Sequence, residues 1–386
     1  MRELAPAPPA FAIDWPAIES FIDPELLAAT PQGPDYHAEG DVWTHTRMVV
    51  EEMAAIPAWR ALDDDGRAIT FAGALLHDLG KPSTTRTEPD GRITSRGHSV
   101  RGESLVRQLL WRAGVPFGTR EHVAALVRHH QVPFFLIEQE PAAARQALAR
   151  LSLALRCDWL ALVAEADARG RRCRDPRDQE TILDRTALFV ELAREAGVLD
   201  RPWTFPSAHT RFVSLRDARR PPDVPVHDDT RAEVIVLSGL PGAGKNSWLA
   251  AHHPELPVVA LDDIRAELEV DPADGQSGVI AAARDRAREH MRRGVPFAWN
   301  ATNVSRRLRT SLIDFLTGYP VRVHLVYLEV SAAEQERRNR ERDSVVPRAA
   351  MARILDRWAP PTPDEAHRVT FVVDDEQRGA VSWPPA

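Results

Sequence analysis

The residues Gly239-Leu240-Pro241-Gly242-Ala243-Gly244-Lys245 have the spacing G-x-x-x-x-G-K. Such a loop aims its amides and a helix N-terminus at phosphate oxygens, while the lysine reaches the outer phosphates as a point charge. Gly239, Gly242, Ala243, Gly244, Lys245, Asn246 and Ser247 are therefore the candidate nucleotide-binding residues. Asn246 stands where the motif has Ser or Thr, which unsettles the magnesium ligand. Its carbonyl could take an oxygen position directly or through water. The other reading is a site that binds nucleotide without turning it over.

Leu261-Asp262-Asp263-Ile264-Arg265 puts two carboxylates and an arginine after a β-rich run. A carboxylate there can accept a proton from an attacking hydroxyl, and Arg265 can fork onto an acceptor phosphate. Taken alone, the same residues also read as a helix cap with a solvated arginine. Trp299-Asn300-Ala301-Thr302-Asn303 adds polar groups to the same edge. Arg338 and Arg342, four apart, share a helix face and can clamp a transferring phosphoryl group, unless they only lace an exposed charged helix. A second group is rich in histidine: His45, the pair His77-Asp78 and Asp167 suit a transition metal. His98, His129 and His130 could complete a second ion, and two close metals favour phosphoester hydrolysis.

The elements that must carry these groups change along the chain. Asp41–Met53, Ala68–Leu79, Val100–Ala113 and Leu151–Ala168 have apolar residues at three- and four-residue spacing, which predicts helices. Gly80 and Pro82 stop the second of these just after Asp78. Residues 216–231, polar and punctuated by proline, predict a linker. Beyond it, Val234–Ser238, Val258–Leu261, Phe297–Trp299, Val321–Val330 and Val369–Val373 predict five strands alternating with helices, hence a parallel sheet.

Composition narrows the possibilities further. With 386 residues, 44% hydrophobic and 27% charged, the chain can fold as two or three globular domains. A net charge of −7 excludes a polycationic scaffold that coats nucleic acid by bulk attraction, although arginines cluster at 284–293, 306–309 and 337–342. Of the 49 basic residues, only Lys81 and Lys245 are lysine. Both follow a glycine within a motif, where a compact ammonium differs from a planar fork. Two cysteines, Cys157 and Cys173, make no disulfide framework. No apolar run reaches the roughly 18 residues of a membrane span, and a secretory leader is lacking, so a cytoplasmic protein without a membrane partner is expected.

The order of G-x-x-x-x-G-K, Asp-x-x-Arg, Asn-Ala-Thr-Asn and Arg-x-x-x-Arg followed by Val346-Pro347 resembles the P-loop polynucleotide 5′-kinase family, over roughly residues 232–360. The resemblance implies Asp262 as general base on a 5′-hydroxyl and Arg265 on the neighbouring acceptor phosphate. It further implies that Arg338 and Arg342 form a lid, with ATP or another NTP and Mg²⁺ bound. The text around the histidines (Asp41-Val42-Trp43-Thr44-His45, Leu76-His77-Asp78-Leu79-Gly80-Lys81, Gly97-His98, His129-His130 and Ala166-Asp167-Ala168-Arg169-Gly170) is similar to the HD phosphohydrolase superfamily. Its nearest counterparts in pattern are HD domains of bacterial tRNA nucleotidyltransferases and of HD-domain/P-loop polynucleotide kinases. This second resemblance implies His45, His77, Asp78 and Asp167 as core ligands of a divalent transition metal. The later histidines become a second site, and Lys81 sits beside the metal within reach of a phosphate.

Together the two halves imply a multidomain protein: an all-α HD-type domain over 1–215, a linker over 216–231 and an α/β P-loop kinase domain over 232–386. The function implied is bifunctional healing of RNA or DNA ends. An NTP-dependent kinase would act on 5′-hydroxyls, and a metal-dependent hydrolase on 2′,3′-cyclic or 2′- or 3′-phosphates, in association with a ligase that needs both ends repaired. A small-molecule kinase fused to a nucleotide phosphohydrolase, or a nucleotide-gated sensor, would use the same residues. His37 and His122 have no such context and read as structural or surface residues.

Overall fold

The computed structural model describes residues 1–271, 274–342, 344–374 and 382–385. The chain forms two compact units, residues 1–203 with the C-terminal residues 382–385, and residues 204–374.

The first unit is helical. Its main helices are α1 (Val42–Ala55), α2 (Asp64–Leu76), α3 (His98–Arg112), α4 (Phe117–His129), α5 (Pro141–Ser152), α6 (Cys157–Arg169) and α7 (Pro176–Glu195). Each start that matters for the site has a local cause. Asp41 caps α1 by accepting the Thr44 amide at 2.9 Å, which places His45 on the first turn. Asp63 caps α2 through the Gly66 amide, and the ten buried residues of that helix make it the centre of the bundle. α6 packs against α1, α2 and α7, bringing Asp167 toward His45 and His77. A small two-stranded hairpin, Arg86–Thr87 with Ile93–Thr94, is the only sheet among the described residues of this unit.

Two expectations change here. The apolar run Leu151–Ala168 is not one helix: α5 ends at Ser152 and α6 begins at Cys157, with Arg156 extended. The break is set by distant partners, since Trp383 Nε1 donates to the Ala154 carbonyl at 2.9 Å and the Trp203 amide donates to Ser152 Oγ. Residues 382–385 therefore pack in the first unit, where Trp383 also meets the Phe117 ring edge-on.

The second unit begins earlier than the proline-punctuated stretch suggests. Helix α8 (Ala208–Ser214) buries Phe212 in the same core as Val234, Val236 and Leu325. Residues 216–231 also pack on this unit, through Arg216 with Asp314, Asp228 with Arg322, and the Arg231 amide on the Pro320 carbonyl.

The sheet of this unit is parallel throughout, as the alternating texture predicts. Strands β1 (Ala232–Ser238), β2 (Val258–Ala260), β3 (Phe297–Asn300), β4 (Val321–Glu329) and β5 (Arg368–Val373) lie in the order β2-β3-β1-β4-β5. Residues of β1 alternate between two cores: Val234 and Val236 face one, Ile235 and Leu237 the other. A sheet buried on both faces reads as a continuous apolar run, which is why these strands are legible in the sequence. Between them come α9 (Lys245–His252), α10 (Leu261–Glu267), α11 (Ser277–Arg292), α12 (Arg306–Leu316), α13 (Ala332–Arg340) and α14 (Arg348–Leu355). β1 sits where the order reverses, so its carboxyl end opens at the switch point where ligands bind in such folds.

Candidate active sites

In the first unit, six predicted residues converge. His45 Nε2 lies 3.3 Å from His77 Nε2 and 3.1 Å from Asp167 Oδ1. His98 Nε2 lies 3.3 Å from His130 Nε2. Asp78 stands between the two groups, with Oδ2 3.2 Å from His77 Nε2 and Oδ1 3.5 Å from His98 Nε2. The donor atoms of His45, His77 and Asp167, and those of Asp78, His98 and His130, each fall within 4.8 Å of one another.

The chemistry of these donors fits divalent cations. The Nδ1 atoms of His77, His98 and His130 each lie 2.7–2.8 Å from a backbone carbonyl, of Ala74, Ser95 and Val127 respectively. A carbonyl accepts only, so each Nδ1 carries a proton and Nε2 is the atom left to face a metal. Burial lowers both His98 and His130, so their lone pairs face one another at 3.3 Å and repel unless a cation lies between them, whereas Asp78 and Asp167 raise His77 against its burial. Burial, with His77 and His98 nearby, pushes His130 down to about 3, so its imidazole is neutral. Among the described residues no well-aligned hydrogen-bond donor meets either oxygen of the buried Asp78, whose partners are held by charge. Burial alone would raise the Asp78 carboxyl, but His77 and Lys81 hold it well below its ordinary value.

Two cations flank these carboxylates. Lys81 Nζ lies 2.7 Å from Asp78 Oδ2 and also bonds Gln32 Oε1, and Arg171 Nη2 lies 2.5 Å from Asp167 Oδ1. Gly80 makes the first contact possible. A Cβ there would stand 2.0 Å from the His98 carbonyl, so only glycine lets this turn lie against α3.

His129 is not brought into either group. Its neighbour His130 points inward as the C-cap of α4, while His129 is half-buried and its charge acts on Glu103. His122 donates to the Ser382 carbonyl and packs on Trp159, a structural role. His37, by contrast, belongs at the site: its Nδ1 bonds Glu39 Oε1 at 2.9 Å, and its ring stands edge-on to His45 at 4.6 Å. His37, Glu39 and Gln32 are missed by periodicity because 31–41 is a Gly- and Pro-containing loop without a repeating pattern, and Arg171 because it follows the end of α6.

In the second unit, the loop after β1 is pinned at both sides. A Cβ at Gly239 would meet the Leu328 carbonyl of β4 at 2.5 Å, so glycine is required there. The Gly239 amide donates to the Thr302 carbonyl at 2.9 Å. Asn303, at φ 46°, donates from Nδ2 to the Leu237 carbonyl. Asn300 Nδ2 donates to Asn246 Oδ1 at 2.7 Å, joining the Asn-Ala-Thr-Asn segment to the first turn of α9. Ala243 is buried, whereas Asn246 and Ser247 are exposed.

Lys245 Nζ donates to the Gly239 and Leu240 carbonyls at 2.8 and 3.1 Å. Burial and the charge of Arg342 lower it to about 8, against the opposing pull of Asp262. Arg338 lies along the loop, with Nη1 3.4 Å from the Gly242 carbonyl and Nε 2.5 Å from Glu334. The shared helix face expected for Arg338 and Arg342 is not found. α13 ends at Arg340, because its last turn hands over to a cap at Glu341, and Arg342 follows beyond it. Asp262, exposed on the first turn of α10, pairs with Arg265 Nη1 at 2.6 Å, and Arg265 Nε donates to Gln276 at 2.8 Å.

Among the described residues, no helix is long and apolar enough to cross a membrane. Comparison with known proteins matches one domain family to each unit. The HD domain family matches residues 42–167, and an AAA domain family matches residues 234–361. The multifunctional CCA protein of Ralstonia nicotianae is 32% identical over 200 residues, covering 49% of this chain and 43% of that protein. Its counterpart in Cupriavidus metallidurans is 35% identical over 159 residues, covering 38% and 34%. The chain thus spans less than half the length of these curated relatives. Among solved structures, a chain of the Pnkp1/Rnl/Hen1 RNA repair complex is 16% identical at a TM-score of 0.31, covering 34% of this chain and 45% of that one. A gluconokinase from Sinorhizobium meliloti 1021 is 19% identical at 0.28, covering 40% and 86%. The chain thus joins a helical unit matched by the HD domain family to a parallel-sheet α/β unit, matched by an AAA domain family, that carries a G-x-x-x-x-G-K loop after its first strand.

Proposed function

We propose that the protein heals broken nucleic-acid ends, with a 5′-hydroxyl kinase in the second unit and a phosphoesterase in the first. The observation that carries the kinase reading is the Asp262–Arg265 pair at the carboxyl edge of the sheet, with Asp262 close enough to act on Lys245. In this reading Asp262 accepts the proton of the attacking 5′-hydroxyl, and Arg265 forks onto the phosphate next to it. The loop amides of 239–244 and Lys245 hold the β- and γ-phosphates of an NTP, with Arg338 and Arg342 over them. Magnesium, when bound, neutralises charge on the phosphates, and the first turn of α9, with Asn246 and Ser247, would hold it.

The first unit acts on the other end. His45, His77, Asp78, Asp167, His98 and His130 would hold one or two divalent ions, which supply a hydroxide at neutral pH and stabilise both oxygens of the displacement. Lys81 and Arg171 neutralise the phosphate, and Asp78 spans the two groups. A break that leaves a 2′,3′-cyclic phosphate also leaves a 5′-hydroxyl, so one chain carrying both activities prepares both ends for a ligase. Replacing Arg265 with Ala tests the substrate class. It should reduce transfer to a 5′-hydroxyl oligonucleotide far more than transfer to a free nucleoside, which offers Arg265 no phosphate. Equal loss on both substrates would favour a small-molecule kinase instead.

A further inference from the structure

The loop 31–41 precedes the stretch matched to the HD family, yet it is built into the histidine cluster. Pro31 bridges to Asp41, and the Gln32 amide donates to the Gly40 carbonyl, closing the loop on itself. The loop is also tied to the segment after α6. The Ala38 amide donates to the Arg172 carbonyl at 2.7 Å, the Arg174 amide to the Asp35 carbonyl at 2.9 Å, and the Arg172 amide to Glu39 Oε2 at 3.0 Å. These ties deliver Glu39 beneath His45 with no exposed side-chain surface.

Glu39 Oε1 lies 2.9 Å from both His37 Nδ1 and His45 Nδ1. The contact to His45 is bent in this conformation, but Glu39 is the anionic acceptor beside a nitrogen that is otherwise unbonded. An anionic acceptor at Nδ1 keeps the proton there, which leaves the lone pair of His45 on Nε2, the atom facing His77 and Asp167.

We infer that Glu39 is a positioning residue for a divalent ion at the His45–His77–Asp167 group, acting through the Nδ1 atom of His45 and bracing His37 over the same ring. The inference rests on the reading of that group as a metal centre. The donor atoms of His37, Glu39 and His45 also fall within 4.8 Å of one another, but Glu39 meets His45 at Nδ1 while Nε2 is the atom that faces His77 and Asp167, so toward that group Glu39 acts through the ring.

The test uses the full chain, stripped with a chelator and titrated calorimetrically with Co²⁺, following the visible cobalt bands in parallel. Glu39→Gln keeps the shape but removes the charge, and with its oxygen kept on the Arg172 amide it turns a donor NH2 toward the histidine Nδ1 atoms, and Glu39→Asp retains the charge one methylene shorter. Glu39→Gln is expected to weaken one Co²⁺ site about 10- to 100-fold and to alter its spectrum, with Glu39→Asp recovering part of the loss. Unfolding curves of the metal-free proteins separate this from a folding defect, since metal-free Glu39→Gln should still melt cooperatively. Wild-type affinity and spectrum in both variants would overturn the assignment while leaving the metal centre standing. A wild-type chain that binds no Co²⁺ would overturn the metal centre and the assignment together.

Discussion

His45 and His77 present their Nε2 atoms to each other across 3.3 Å, and His77 has its other nitrogen fixed by the Ala74 carbonyl. Without a metal, Asp78 and Asp167 raise His77 against its burial and favour a proton on its Nε2; a bound cation would take that proton's place between the two rings. Divalent ion at 100 times its Kd should stabilise the first unit by about 2.7 kcal/mol. Thermal unfolding with and without Mn²⁺ measures this, and His77→Ala should abolish the increment.

Adjacent histidines at the end of α4 should behave differently. His130→Ala is expected to lower the number of bound ions, because its Nε2 faces His98, whereas His129→Ala should leave the stoichiometry unchanged. Metal analysis of the two purified variants decides between them. Equal loss in both would contradict the geometry.

Lys245 makes nucleotide binding depend on pH. Its value falls from 10.5 to about 8, so the folded protein holds that proton less tightly than the unfolded chain does. The group therefore opposes folding below pH 8, and the penalty fades as pH rises from about 8 toward 10.5. Phosphates restore the ammonium, so binding above about pH 8 takes up a proton, and NTP affinity falls by up to about tenfold per unit. Calorimetry at pH 9 in buffers of different ionisation enthalpy detects the uptake.

Arg309 and Glu365 form a buried pair with contacts of 2.7 and 2.9 Å, and Arg309 also donates to the Asn303 and Ala359 carbonyls. Removing one partner leaves a charge buried without compensation. Glu365→Ala should cost the second unit about 3–5 kcal/mol in denaturant unfolding, and replacing both residues by apolar ones should cost much less.

These sites were legible in the sequence to different degrees. The five strands stand out because a parallel sheet covered on both faces needs unbroken apolar runs, and the phosphate loop because its glycines are fixed by close backbone approach at Gly239. The motif around His77-Asp78 shows for the same reason, with Gly80 against His98. Tertiary contacts decided the rest. Trp383 takes the Ala154 carbonyl and splits a helix that periodicity would run through, and Phe212 draws α8 into the second unit. His129 and His130 differ only in which way a helix end turns them. Glu39 and His37 lie on a loop whose shape depends on partners at 172 and 174, more than 130 residues away.

The central claim is tested most directly by incubating the full chain with γ-labelled NTP, Mg²⁺ and a 5′-hydroxyl oligonucleotide, beside Asp262→Ala. The expected result is transfer of label to the 5′ end, reduced about 10²- to 10⁴-fold in the variant. Absence of transfer to both RNA and DNA with each of the four NTPs, or transfer that Asp262→Ala leaves unchanged, would contradict it.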